Sequence, residues 1–194
     1  VNLYSADLTD NALEITKKRL ATYNLTSELS NQNAEKMTYK SGQFDHVNCQ
    51  GVIHHTPDTE ASVKEIARVL KKDGSAYISV YYKNIFIRNW KRISYVGKII
   101  SKFGGGLKGR GREKIFNETD TDEITRLYDG NENPIGKSYS KKEIMALVSP
   151  YFTVNKSFLF FFPARALPVG IPKFIHPFLA RKFGFMIFLH LRKK

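Results

Sequence analysis

The first 82 residues alternate strand-like and helix-like segments, and this alternation leaves few folds open to the chain. Residues 1–6 lead into Asp7 and read as the end of a strand. Thr9 is placed to cap a helix, because its hydroxyl can accept from the first free backbone amides. Leu13, Ile15, Leu20 and Tyr23 follow at roughly helical spacing, which predicts a helix over 10–23. A short strand is expected over 29–33, and residues 44–49 form a strand pattern ahead of a loop. Pro57 and Asp58 open a second helix with Val63, Ile66, Ala67, Val69 and Leu70 on its buried side. Residues 71–74 are expected to stop it, with Gly74 as the end signal. Residues 75–82 are rich in β-formers. Strands alternating with helices predict a parallel sheet covered on both faces.

The rhythm breaks at residue 83. Phe86, Trp90, Ile93, Val96, Ile100 and Phe103 recur at helical spacing, opposite Arg88, Lys91, Arg92, Lys98 and Lys102. That pattern predicts a basic amphipathic helix over 85–103. Residues 104–111 read as a flexible cationic loop, about 120–128 as a short acidic helix, and 129–134 as a turn. Ser140 and Glu143 form a capping box that opens a helix to about residue 149. Strands are expected over 152–162 and 185–191, joined by a Pro-rich connection over 163–184. The expected organisation is therefore 1–82, an insertion over 83–137, and a C-terminal helix and strand pair over 138–194.

Charge separates these parts. Residues 1–80 carry nine Lys/Arg against ten Asp/Glu, whereas residues 81–194 carry twenty-two against eight. A net +14 in the second part suits an anionic partner: nucleic acid, a membrane surface or an acidic substrate. The single cysteine excludes an internal disulfide and fits a reducing, cytoplasmic setting. No CxxC or HExxH pattern suggests a metal site, and none is expected. A secretory leader is not expected, because residues 1–16 carry no Lys or Arg. The most apolar stretch, 158–180, is broken by Arg165, Lys173 and four prolines, which argues against a transmembrane helix.

One segment is more specific than any of these. It runs Phe44-Asp45-His46-Val47-Asn48-Cys49-Gln50-Gly51-Val52-Ile53-His54-His55-Thr56-Pro57-Asp58 and is followed by Glu65-Ile66-Ala67-Arg68-Val69-Leu70-Lys71-Lys72-Asp73-Gly74. The pair resembles the type-11 group of class I S-adenosylmethionine-dependent methyltransferases, with its FDxV strand, HHxxD loop and ExxRVLKxxG helix end. The resemblance is tight over 1–82 and loose over 138–194. It implies an α/β, Rossmann-like fold: a parallel sheet with a terminal antiparallel strand, and a helical, basic insertion after the fifth family strand. It also implies S-adenosyl-L-methionine as cofactor. Asp7 and Leu8 match the end of the family's second strand, where an acid binds ribose. Asn33, Ala34 and Glu35 match the loop that contacts adenine, and Gln50 and Gly51 lie in the loop expected to face the cofactor. The family's first strand and glycine-rich turn would precede Val1, so the sequence reads as lacking its first strand. The expectation is that the fourth family strand gains an open edge, and that the fragment alone is inactive.

Methyl transfer to a hydroxyl needs a base, and histidine titrates near neutrality. His55 and His54 lie just after a strand, at the mouth of the expected pocket, and are the catalytic candidates. The competing reading is that one or both order the loop through hydrogen bonds to backbone. Glu65 and Arg68 read as helix anchors, Asp58 as a cap, and Cys49 as a buried strand residue. Gly104, Gly106 and Gly109 satisfy GxGxxG with Asp129 twenty residues on, but they follow a helical segment and read as a lid. Asn133-Pro134 resembles the NPP motif of amino-methylating enzymes, yet lies in the insertion and reads as a turn.

The expected activity is methyl transfer to a small-molecule or lipid-like acceptor, at oxygen, carbon or nitrogen. Three readings of the insertion stay open: a cap packed over the active site, an interfacial helix at an anionic membrane surface, and a nucleic-acid contact. Its aromatics lie on the apolar face rather than the basic one, which argues against nucleic acid. Alternatives for the whole chain are a non-catalytic scaffold or membrane-surface binding protein, and an RNA methyltransferase.

Overall fold

A computed structural model describes residues 2–100, 102, 112–130, 132–164 and 170–194. The glycine-rich stretch 104–111, with Gly104, Gly106 and Gly109, lies outside the described residues, as do Phe103, Asn131 and Arg165.

The described residues form seven strands and seven α-helices. They are β1 (Tyr4–Asp7), α1 (Asp10–Thr22), β2 (Glu28–Asn31), β3 (Phe44–Gln50), α2 (Thr59–Val69), β4 (Leu70–Tyr82), α3 (Ile85–Arg88), α4 (Trp90–Ile100), α5 (Thr121–Asp129), β5 (Ser138–Tyr139), α6 (Lys141–Val148), β6 (Phe152–Phe160), α7 (His176–Phe183) and β7 (Met186–Lys193). Two short 3₁₀ segments, Ile53–His55 and Arg112–Asn117, interrupt the loops. The capping residues anticipated from sequence do their work: Thr9 accepts from the Ala12 amide, Asp58 from the Ala61 amide, and Ser140 and Glu143 close a reciprocal box.

The strands fall into two hydrogen-bonded groups. β1 and β2 pair in parallel. The larger sheet has the order β3-β4-β7-β6, with β5 beside the end of β4. β3 and β5 run parallel to β4, whereas β7 is antiparallel to both β4 and β6. Among the described residues no ladder joins β1 to β3, and β3 pairs with β4 on one side and with no strand on the other. Aromatic rings span that gap: Tyr39 packs edge-on against Phe44 at 4.9 Å and Tyr4 against Phe44 at 5.2 Å.

The main core lies around β4 and β7. Ala76, Ile78 and Val80 meet Ile187, Leu189 and Leu191, and α2 and α6 contribute Val63, Ile66, Ile144 and Val148. A second cluster, of Tyr81, Ile87, Ile115, Ile124, Leu127, Tyr128 and Phe185, fastens the insertion to the end of β4.

Three expectations need correction. Gly74 does not end α2; the helix closes at Val69 and the chain runs directly into β4. Asp73 carries the left-handed turn at φ 61°, and Gly74 is required because a Cβ there would sit 2.9 Å from the Lys71 carbonyl oxygen. The amphipathic stretch expected over 85–103 is two helices, α3 and α4, that part at Asn89, with Asn84 capping the first. The Pro-rich connection contains α7, because Pro177 sits in the first turn, where a missing N–H costs nothing.

Candidate active site

The parallel strands bring their carboxyl ends to one side, where open α/β sheets bind ligands. Asp7 ends β1 opposite Asn31, and its carbonyl accepts from the Gln32 amide at 2.9 Å. The chain then turns: the Asn33 side-chain oxygen accepts from the Glu35 amide, and the Glu35 carboxylate accepts from the Asp58 amide at 2.6 Å. That last bond ties the loop after β2 to the start of α2. A second tie is Arg68, which donates to the carbonyls of Tyr39 (2.8 Å) and Met37 (3.0 Å). Arg68 also pairs with Glu65 at 2.7 Å, and its guanidinium holds the Glu65 carboxyl below the ordinary range. Glu65 in turn accepts from the Met37 amide.

The two histidines occupy the 3₁₀ turn after β3 and differ sharply. His54 is fully buried, with its ring 4.1 Å from Tyr81 and 4.2 Å from His55. Neither of its ring nitrogens has a hydrogen-bond partner among the described residues. Burial pushes its pKa down to about 3, with His55 adding to the shift; the Ser79 backbone opposes it weakly, outside hydrogen-bonding geometry. His54 is therefore neutral at physiological pH and closed off from solvent. The His55 side chain is 28% exposed. Its Nδ1 lies 2.6 Å from the Ile135 carbonyl oxygen. A carbonyl only accepts, so Nδ1 carries the hydrogen and the neutral ring presents its lone pair at Nε2. That nitrogen is 3.9 Å from Asp129 Oδ2.

The segment after α5 locks this loop. The Lys137 amide donates to the His54 carbonyl (3.0 Å), the Lys137 ammonium to the Pro57 carbonyl (2.5 Å), and the Tyr139 hydroxyl to Thr59 Oγ1 (2.8 Å). Asn133 donates to Asp129 Oδ2 and orients that carboxylate. Asp129, Ile135, Lys137 and Tyr139 are the site residues that sequence reading missed. The Asp129-Gly130 step signals only a turn, and nothing local shows that the turn returns to a loop about 75 residues earlier.

The residues matched to the cofactor divide into two sets. Asp7 fits a ribose: it is exposed, its Oδ1 accepts from the Thr9 amide and hydroxyl, and Oδ2 makes no hydrogen bond among the described residues. Leu8 beside it is 65% exposed, an apolar side chain facing open space. Gly51 holds φ +74°, and no atom lies within 4 Å of where a Cβ would be, so the loop leaves room for a ligand. Asn33 and Glu35 spend side-chain oxygens on the turn and the α2 tie, leaving Ala34 half-buried between them. The Gln50 side chain donates to Asn48 on the open edge of β3. Cys49 faces the core, and burial pushes its thiol up to about 12. Among the described residues no group of three or more His, Cys, Asp and Glu could hold a metal ion.

Comparison with known proteins bears on the fold and the family. Residues 1–78 match the family model for a methyltransferase domain. The chain is 37% identical over 49 residues to the uncharacterized methyltransferase YcgJ of Bacillus subtilis, covering 25% of this chain and 19% of that protein. It is 23% identical over 78 residues to the ubiquinone biosynthesis O-methyltransferase of Coxiella burnetii, covering 40% of this chain and 33% of that one. The chain thus spans between a fifth and a third of the length of these curated relatives. A solved S-adenosylmethionine-dependent methyltransferase from Methanosarcina mazei superposes with a TM-score of 0.60 at 16% identity, over 97% of this chain and 80% of that one. The fold agrees over nearly the whole chain, and residues 1–78 match the methyltransferase-domain family; together these support a class I methyltransferase of the type-11 group with S-adenosyl-L-methionine as cofactor.

Proposed function

We propose that the protein methylates a hydroxyl group of a small-molecule or lipid-like acceptor, with His55 as the base. The observation that carries this reading is the fixed tautomer of His55. Its Nδ1 hydrogen is committed to Ile135, so Nε2 is the nitrogen free to take a proton. Bound at the strand ends, S-adenosylmethionine supplies an electrophilic methyl group on a sulfonium sulfur. Asp7 would hold the ribose hydroxyls through its uncommitted Oδ2. His55 Nε2 accepts the acceptor's hydroxyl proton, and Asp129 stabilises the imidazolium that results. His54 has no exposed atom through which to meet an acceptor and serves instead as packing between Tyr81 and His55. The Coxiella relative's description as an O-methyltransferase supports a hydroxyl acceptor. The parts 1–82, 83–137 and 138–194 then divide the work into cofactor binding, capping and completion of the sheet.

The test combines calorimetry of S-adenosylmethionine binding with transfer of labelled methyl to a catechol probe, both in a chain extended to carry the family's first strand and glycine-rich turn. Asp7→Ala should weaken cofactor binding by about 1.5–3 kcal/mol, the scale of a hydrogen bond to a charged group. His55→Ala should lower turnover by about a hundredfold and leave cofactor affinity nearly intact. Unchanged turnover in His55→Ala overturns the base assignment. Weaker cofactor binding in that variant, with turnover following occupancy, returns His55 to a loop-ordering role.

A further inference from the structure

All eight acidic residues of the basic second part lie between 113 and 143. Residues 74–112 and 144–194 contain no Asp or Glu at all. The fold brings these two acid-free segments together. Asn84 Nδ2 donates to the Phe183 carbonyl at 3.2 Å, and the rings of Phe86 and Phe183 lie 5.5 Å apart, so α3 and α7 share one seam.

Large apolar side chains stand in water along that seam. Phe174 is 83% exposed, Phe178 60% and Phe160 54%, with Ile85 and Phe86 also exposed across it. Cations flank them: Arg88, Lys91 and Arg92 on α3 and α4, Arg181 and Lys182 on α7. None of the five pairs with a carboxylate among the described residues. The Lys182 ammonium lies 5.7 Å over the rings of both Phe178 and Phe183. An apolar cleft of about 520 Å³, lined by Phe160 and His176 among others, opens between the end of β6 and α7.

We propose that this face docks the protein on an anionic lipid bilayer, with Phe174 and Phe178 entering the interfacial layer and the surrounding cations meeting lipid phosphates. Charge and apolarity have to be met together here. A nucleic acid would satisfy the cations alone, whereas a bilayer surface takes aromatic side chains and attracts basic ones within a Debye length. The docking face is therefore centred on α7 rather than on the amphipathic helix that the sequence singles out. It also adjoins the candidate site: Phe185, just past α7, packs at 5.0 Å on Tyr81, which packs at 4.1 Å on His54. The proposal stands independently of the methylation reading.

The test is co-sedimentation of the full chain with phosphatidylcholine vesicles, either pure or containing about 30% phosphatidylglycerol. Binding is expected only with the anionic vesicles. Phe174→Ser with Phe178→Ser, and separately Arg181→Glu with Lys182→Glu, should each lower partitioning about tenfold or more. Lys141→Glu with Lys142→Glu removes the same charge from exposed positions on α6 and should leave partitioning unchanged. Because the altered side chains are exposed, each variant should keep the wild-type thermal transition. Failure of the wild-type chain to pellet overturns the proposal. So does equal loss in the α6 variant, which would mark attraction by net charge alone. Full binding by the Phe174/Phe178 variant, or tighter binding of a single-stranded oligonucleotide than of anionic vesicles, assigns the face to a purely electrostatic partner and likewise overturns it.

Discussion

The units β1–α1–β2 and β3–α2–β4 are built from the same local parts and are held very differently. Each places a side-chain cap at the start of its helix, and each pairs its strands in parallel. α2 buries six residues and packs on the main core, whereas α1 buries none. Among the described residues β4 is bonded on both sides, by β3 and β7, while β1 pairs with β2 alone. The β1–α1–β2 layer reaches the rest of the molecule through a few side chains: the Tyr4, Tyr39 and Phe44 rings, the Arg68 clamp and the Glu35–Asp58 bond. Capping and periodicity decide where an element begins and ends, but neighbours decide how firmly it is held.

The contrast is most easily broken by truncating one side chain in each region. Leu189 is fully buried between β4 and β6, and Leu189→Ala should lower unfolding free energy by about 2–5 kcal/mol. Ile15 on α1 is 43% exposed, and Ile15→Ala should cost less than about 1 kcal/mol. Equal losses on chemical denaturation would show that α1 is held as tightly as the core.

Arg68→Ala sharpens the comparison, because it cuts the link between the two units without touching either core. Two carbonyls and a carboxylate lose their partner, and a loss of about 1.5–3 kcal/mol is expected. Hydrogen exchange at the Met37 amide should accelerate while the β4 amides stay protected. An unaffected Met37 would mean that the aromatic trio and the Glu35 and Glu65 bonds hold the layer without Arg68.

The last effect concerns acid. His54 has a folded-state pKa near 3 against an ordinary 6.5, so between these values the unfolded chain binds a proton that the folded chain does not. The stability this contributes is present above about pH 6.5 and is lost as pH falls, by up to about 1.4 kcal/mol per pH unit. The fall belongs to the tightly held region and should flatten in His54→Phe. An unchanged slope in that variant would place the acid sensitivity elsewhere.

The candidate residues were legible as candidates because they sit at strand and helix ends, which have local signatures. Gly51 and the two histidines were singled out through a resemblance carried by a run of adjacent residues, Asp7 by its place at a strand end, and Asp58 as a cap. What separates His54 from His55 was not legible. One ring is closed in by Tyr81 and the other held by Ile135, 27 and 80 positions away, and no pattern in the HH pair reports either contact. α7 escaped notice for a different reason: four prolines dominate its surroundings, and the one inside its first turn does no harm there.

The sequence by itself determined the α/β alternation, the caps, the buried side of α2 and the division of charge, because periodicity and hydrogen-bonding chemistry act over a few residues. Only the tertiary structure decided which strands share an edge, which histidine meets solvent, and that two acid-free segments meet along α3 and α7. Those outcomes depend on burial and on contacts between residues far apart in the chain, which local chemistry does not encode.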